Sequence, residues 1–239
     1  MLGLYTAEVS GLEACIVLLA RPAGKLECLL GPTQASPFGR TGTTGWRVFN
    51  DHAVHTALGH RAVVIPDVHQ AQFVDFIEVK SDPFQPHATP PPYEYAVLLV
   101  RELEKLGLVD SSWVQSFDWR ILRQVQQICP EITTCYLTSL DPRYEIVGSS
   151  GNSPELAGFD LSHFGGNIPA AVRAAGGRIW GPSFRDLSSH RVEEARAEDI
   201  PIHCWTVNHS HQIRQLIEWR LAGVTTDYPE SVVRMTQNI

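Results

Sequence analysis

The chain has 239 residues, 44% of them hydrophobic and 19% charged, with a net charge of −7 at pH 7. That much apolar material fills the core of one large domain or two small ones and excludes wholesale disorder. The acidic balance, with no cluster of Lys and Arg, excludes the electrostatic footprint of a nucleic-acid binder, although a cation could still mediate contact with an anionic small molecule.

The first apolar run, "ACIVLLA" at residues 14–20, is far shorter than the roughly 20 residues that cross a bilayer, so no membrane span is expected. Glu8 and Glu13 precede it and no basic residue does, a poor signal peptide, which predicts a cytoplasmic protein. Gly39, Gly42 and Gly45 fit the spacing of neither a P-loop nor a dinucleotide fingerprint. His52 and His55 could share a helix face as metal ligands, a pattern more common on plain surfaces. The five cysteines (Cys15, Cys28, Cys129, Cys135 and Cys204) are odd in number and form no C-x-x-C pair. Buried, reduced thiols are expected rather than a disulfide framework or a zinc ribbon.

From residue 76 the chain alternates. "FIEVK" reads as a strand ended by Ser81-Asp82-Pro83, and after a proline-rich loop Tyr95, Leu99, Leu103 and Leu106 form one helical stripe that Gly107 stops. "SWVQSF" is a strand, Asp118 an N-cap, and Ile121, Leu122, Val125 and Ile128 the apolar face of the next helix, which Pro130 ends. "ITTCYLT" is a third strand, followed by a loop over 139–158, a short apolar segment "GFDLSHF" and a helix over 168–175. "RIWGPSF", "IPIHCWTVN" and "VTTDYP" are three further strands. A helix follows each of the first two, the second carrying Ile213, Leu216, Ile217 and Leu221 on one side. Strands alternating with amphipathic helices imply βαβ units and a parallel sheet. Six such units fit a closed α/β (β/α)₈ barrel, a single domain over 1–239, with residues 1–72 long enough for two more units of about 30 residues each.

Side chains alternate along a strand, so Phe76, Glu78 and Lys80 share one face and Ile77 and Val79 the other. The charged pair sits at the strand's C-terminal end, where parallel α/β folds build their sites. Read from the residues alone, it is either a structural ion pair or part of such a site.

Four strings in order, "FIEVKSDP", "VQSFDWRIL", "WTVN" and "GVTTDYPE", make residues 73–239 resemble the glycerophosphodiester phosphodiesterase family of TIM barrels. The resemblance implies a phosphoric diester hydrolase that needs a divalent cation, Mg²⁺ or Ca²⁺. It would release glycerol 3-phosphate and an alcohol from lipid-derived glycerophosphodiesters. On matching positions it makes Glu78 a metal ligand and Lys80 a contact to the substrate phosphate. Trp205 becomes a substrate neighbour, or equally an aromatic plug of the barrel. A hard cation wants carboxylate oxygens, and a lysine adds positive charge where negative charge grows. Gln115, Ser116 and Phe117 read as structural, and Asp227 as fixing the last loop. His209 and His211 fall near the mouth, as substrate contacts or as plain helix-start residues.

Residues 1–72 lack the family's His-Arg-Gly, Glu-Asn-Thr and Glu-x-Asp strings, so no acid/base residue is assigned. "HRA" at residues 60–62 comes too late for a first strand, and Asn50 in "VFND" stands where a histidine would have to be. Divergence and a changed reading frame in the source gene both explain this. The metal site would rest on Glu78, with Asp51, Asp67 or Asp75 as substitutes. The alternatives are a catalytically impaired barrel that binds a phosphorylated ligand, and a phosphodiesterase of lysophospholipid head groups.

Overall fold

The computed structural model describes residues 13–21, 25–30, 47–48, 61–64, 75–81, 83–84, 89–141, 147, 153–228 and 235, the first four stretches and Asp75 as backbone. Asn50, Asp51, His52, His55, His60, Asp67 and the glycines at 39, 42 and 45 lie outside these residues.

Strands β1 (Glu13–Arg21), β2 (Lys25–Leu30), β3 (Arg47–Val48) and β4 (Arg61–Val64) come first. Then follow β5 (Asp75–Lys80), α1 (Pro92–Leu106), β6 (Ser112–Ser116), α2 (Trp119–Ile128) and β7 (Thr133–Thr138). The chain continues through α3 (Ile168–Ala174), β8 (Ile179–Pro182), α4 (Ser189–Ala197), β9 (His203–Cys204), α5 (Ser210–Glu218) and β10 (Gly223–Thr226). The expected strand and helix alternation from residue 76 is therefore present. The "GFDLSHF" segment forms a single 3₁₀ turn, Leu161–Phe164.

The strands run in the order β8-β7-β6-β5-β1-β4-β10-β9. Parallel bridges Trp180–Ile202 and Ser183–Trp205 bring β8 to β9 and close the ring, a barrel of the TIM type. β1 and β4 fill its two remaining places, but not as the βα units expected of residues 1–72. β4 runs antiparallel to both β1 and β10, and β2 with β3 adds an antiparallel pair on the outer part of β1. The physical reason is chain length. Three residues join β1 to β2, and a parallel crossover needs a dozen or more.

Alternation sorts the side chains of β5 to β10. Ile77, Val79, Val114, Tyr136, Trp180, Cys204 and Val224 face outward and pack under the helices. Phe76, Trp113, Cys135, Leu137, Ile179 and Trp205 face the barrel interior. The helices start where their caps allow. Asp118 accepts the Arg120 N–H, Asn167 the Ala170 N–H and Ser188 the Arg191 N–H. Gly107, at φ 68°, ends α1 in the left-handed conformation that suits glycine. Leu106 and Ile128, expected on buried stripes, are 43% and 36% exposed. Each is the last residue of its helix, beyond the reach of the strand beneath.

The floor of the barrel holds a buried histidine. The His203 ring stacks on Phe76 with centroids 4.3 Å apart and meets the edge of Trp113. Its Nε2 lies 3.0 Å from Thr225 Oγ1, while Nδ1 is buried without a partner among the described residues. Burial pushes its pKa down from 6.5 to about 3. The folded state therefore binds fewer protons than the unfolded state between those values, and stability falls as pH drops through that window. At pH 5 the loss is roughly 2 kcal/mol from this group. Unfolding free energies from urea titrations should fall by about that amount between pH 7 and pH 5 in the unmodified chain, and His203→Asn should flatten the slope.

Candidate active site

The C-terminal ends of the parallel strands meet at one mouth, and β5 delivers Glu78 and Lys80 to it. Lys80 Nζ lies 2.7 Å from Glu78 Oε1, and the two side chains are only 15% and 8% exposed. They lie one above the other because they are two residues apart on an extended strand. The register sets Gln115 of β6 beside Glu78 on one flank. On the other flank it sets Val17 of β1 beside Glu78 and Leu19 beside Lys80.

Trp205 follows β9 at the mouth and is half-buried. Its indole N–H donates to the Gly181 carbonyl at 2.7 Å, and its ring meets Phe117 edge to face at 5.4 Å and 87°. A Cβ at residue 181 would come within 2.6 Å of Leu137 Cδ2 and 2.9 Å of Cys135 Sγ, so any larger residue there would have to displace those side chains. Trp205 is thus a fixed aromatic wall, wedged by neighbours but not sealed in. Phe117, read as structural from the sequence, is part of that wall.

Asn208 and Asp227 tie together the loops after β9 and β10. Asn208 Nδ2 donates to Asp227 Oδ2 at 2.6 Å, and the Asp227 N–H donates to Asn208 Oδ1 at 2.9 Å. His209 and His211 are exposed, with rings stacked 5.7 Å apart, and His209 is the N-cap residue of α5 without a side-chain capping bond.

A divalent cation needs several oxygen ligands. Among the described residues no group of three or more His, Cys, Asp and Glu side chains is gathered to hold a metal. Glu78 already faces the Lys80 ammonium, and the β1 residues in register with the pair, Val17 beside Glu78 and Leu19 beside Lys80, are residue types without a side-chain oxygen. The described residues therefore do not make a cation site.

Sequence reasoning placed Asp118 only as a helix cap. It is also the hub of a buried network at the same mouth. Arg120 grips its carboxylate with Nε at 2.8 Å and Nη2 at 2.7 Å, and Ser81 Oγ donates to its Oδ2. Donating to Asp118 raises the Arg120 pKa further. Close by, burial pushes the Glu155 carboxyl up, although Ser153 donates to it at 2.6 Å. The serine and aspartate in "SFD" and the serine after "FIEVK" were the available signal.

A family model, the Glycerophosphoryl diester phosphodiesterase family, matches residues 64–231. With more than half of its length matched, in the region that carries Glu78, Lys80 and Trp205, the chain belongs to that family. It is 32% identical over 50 residues to the glycerophosphodiester phosphodiesterase of Bacillus subtilis (strain 168), a stretch of 21% of this chain and 17% of that protein. A protein of Silicibacter pomeroyi DSS-3 assigned to the glycerophosphoryl diester phosphodiesterases has a similar structure. Its TM-score is 0.57 at 27% identity, over 69% of this chain and 50% of that one. A phosphodiesterase of Oleispira antarctica, solved with its product sn-glycerol-3-phosphate, shares the fold at TM-score 0.57 and 14% identity, over 94% of this chain and 84% of that one. The matched stretches span half or less of the Bacillus and Silicibacter relatives.

The ion pair makes a direct test. Glu78→Gln leaves a mostly buried lysine without its counter-charge, and stability should fall by about 3–5 kcal/mol. Adding Lys80→Met should recover most of that loss in the same urea titration. A Glu78→Gln midpoint within experimental error of the unmodified chain would show that the pair carries no structural weight. Gly181→Ala should cost about 1–3 kcal/mol by overpacking and should move Trp205 fluorescence.

Proposed function

We propose that this barrel receives a glycerophosphodiester at its mouth, with Lys80 as the phosphate contact and Trp205 with Phe117 as the wall along the substrate. The observation that carries this reading is a lysine ammonium held inside the mouth by a single carboxylate, in the stretch that matches the family. Phosphate oxygens entering beside Nζ would share a cation that Glu78 has already oriented, in a site where low water content strengthens the attraction. Cleavage to glycerol 3-phosphate and an alcohol is the reaction proposed, and lipid-derived diesters are the proposed substrate class. In this reading the glycerol 2-hydroxyl attacks phosphorus while the P–O bond to the alcohol breaks, and the alcohol leaves with the hydroxyl's proton. Water then opens the resulting cyclic phosphate to glycerol 3-phosphate, and Lys80 offsets the charge that grows on the phosphorus oxygens in both steps. The domain proposed is the whole of 1–239, unfolding in one transition.

Divalent-metal dependence is part of what family membership implies, but the described residues do not carry it, and the reading above needs only the lysine. A second reading has its own support: a barrel that binds the phosphorylated ligand and turns it over poorly. The described part of the mouth offers one lysine–glutamate pair and no matched acid/base residues. Losing general acid/base help costs about 10²–10⁴-fold for each group.

The experiment is turnover of glycerophosphocholine by the full chain, in Mg²⁺, in Ca²⁺ and in chelator, beside titration with sn-glycerol 3-phosphate. The expected outcome is measurable binding, with turnover far below the roughly 1–10³ per second of ordinary enzymes. Lys80→Ala should weaken the binding at least tenfold. Ordinary rates would overturn the impaired reading, and unchanged binding by Lys80→Ala would overturn the phosphate assignment.

A further inference from the structure

The chain is tied at Lys80 and at the residue on either side of it. Ser116, at the end of β6, donates from Oγ to the Val79 carbonyl at 2.6 Å. The Tyr95 hydroxyl of α1 donates to the Lys80 carbonyl at 3.4 Å. Ser81 donates from Oγ to Asp118 Oδ2. Asp118 joins two of these ties, because its own N–H donates to Ser116 Oγ at 3.0 Å.

Capping α2 explains only part of this. A cap needs one side-chain oxygen, and Asp118 Oδ1 supplies it to the Arg120 N–H at 3.1 Å. Oδ2 is surplus to the cap, and it is the atom that takes Ser81, the residue next to Lys80. Asp118 is 2% exposed, so its charge must be matched, and Arg120 matches it with two further bonds. That pairing lets a buried carboxylate stand behind the end of β5.

We propose that Asp118 is a positioning residue for Lys80, acting through Ser81 and Ser116 to fix the end of β5 so that the ammonium meets an anionic phosphate ester at the mouth. The proposal rests on the reading of Lys80 given above. A lysine side chain is long and flexible, so its reach is only as well defined as its backbone, and misplacement by about 1 Å is costly in a positioned site.

Ser81→Ala is the informative change, since it cuts the tie and leaves the cap and the Arg120 pair in place. Titration of the full chain with sn-glycerol 3-phosphate should show about tenfold weaker binding, equivalent to about 1.4 kcal/mol. Ser81→Thr, which keeps the hydroxyl, should restore it. In a Lys80→Ala background Ser81→Ala should add nothing, the signature of one unit. A merely structural serine would lower the melting temperature and leave the dissociation constant alone. Unchanged affinity in Ser81→Ala beside a weakened Lys80→Ala overturns the proposal, as does an equal further loss in the double variant. Should Lys80→Ala bind normally, or the unmodified chain not bind, the failure belongs to the phosphate assignment. The tie is then read without ligand, as the rate at which acetic anhydride modifies Lys80 relative to Lys105, followed by peptide mass. Ser81→Ala should raise that ratio several-fold, and an unchanged ratio overturns the proposal.

Discussion

Two opposite charges lie 2.7 Å apart inside the mouth of the barrel, and much of the local architecture exists to make that tolerable. Removing an ammonium and a carboxylate from water costs several kcal/mol for each ion, and only tight geometry returns it. The geometry comes from β5, which pairs in parallel with β1 on one side and β6 on the other. A central strand cannot slide without turning its interior residues outward. Slippage by one residue would put Ile77 and Val79 in the mouth and both charges against the helices, where the core is apolar. The buried pair and the hydrophobic pattern of β5 thus enforce the same register.

The same division governs the rest of the ring. Outside, Trp119, Tyr136 and Trp180 pack under the helices, and each polar tip finds a partner. The Trp119 indole donates to the Leu137 carbonyl, the Tyr136 hydroxyl donates to Gln126 Oε1, and the Trp180 indole donates to Thr138 Oγ1. Inside, the floor is aromatic around His203 while charge and Trp205 occupy the mouth. The pair thus lies between an aromatic floor and the open end of the barrel.

The second half of the molecule was legible in the sequence for definite reasons. Helical stripes such as Tyr95, Leu99 and Leu103, the cap at Asp118 and the stop at Gly107 are local signals, and local signals survive folding. The placing of Glu78 and Lys80 on one face followed from strand periodicity alone. The network around Asp118 was not legible, because Ser81 and Asp118 lie 37 residues apart and meet only through the pairing of β5 with β6. The first strands were misjudged for another reason. Seventy-odd residues were allotted to βα units by length, whereas the link from β1 to β2 is too short for a crossover. Leu106 and Ile128 show the remaining kind of error, since periodicity marks a face but not where the partner surface stops.

The antiparallel entry of β4 bears on the chemistry as well as the topology. In an all-parallel barrel every strand brings its C-terminal end to the mouth, so each can offer one or two side chains to the site. β4 runs the other way, and its N-terminal end lies beside the C-terminal end of β10, with Arg61 level with Thr226. β1, which does run with β5, sets Val17 and Leu19 level with the charged pair. The two β1 residues in register with the pair are therefore of types that neither exchange protons nor ligate a hard cation through a side chain. Among the described residues, β5, β6 and β9 and the loops after them bring to the mouth a paired ammonium, the hydrogen bonds around Asp118 and an aromatic wall. Such a set suits the recognition of a phosphate ester proposed above, and among the described residues nothing at the mouth is matched to acid/base chemistry.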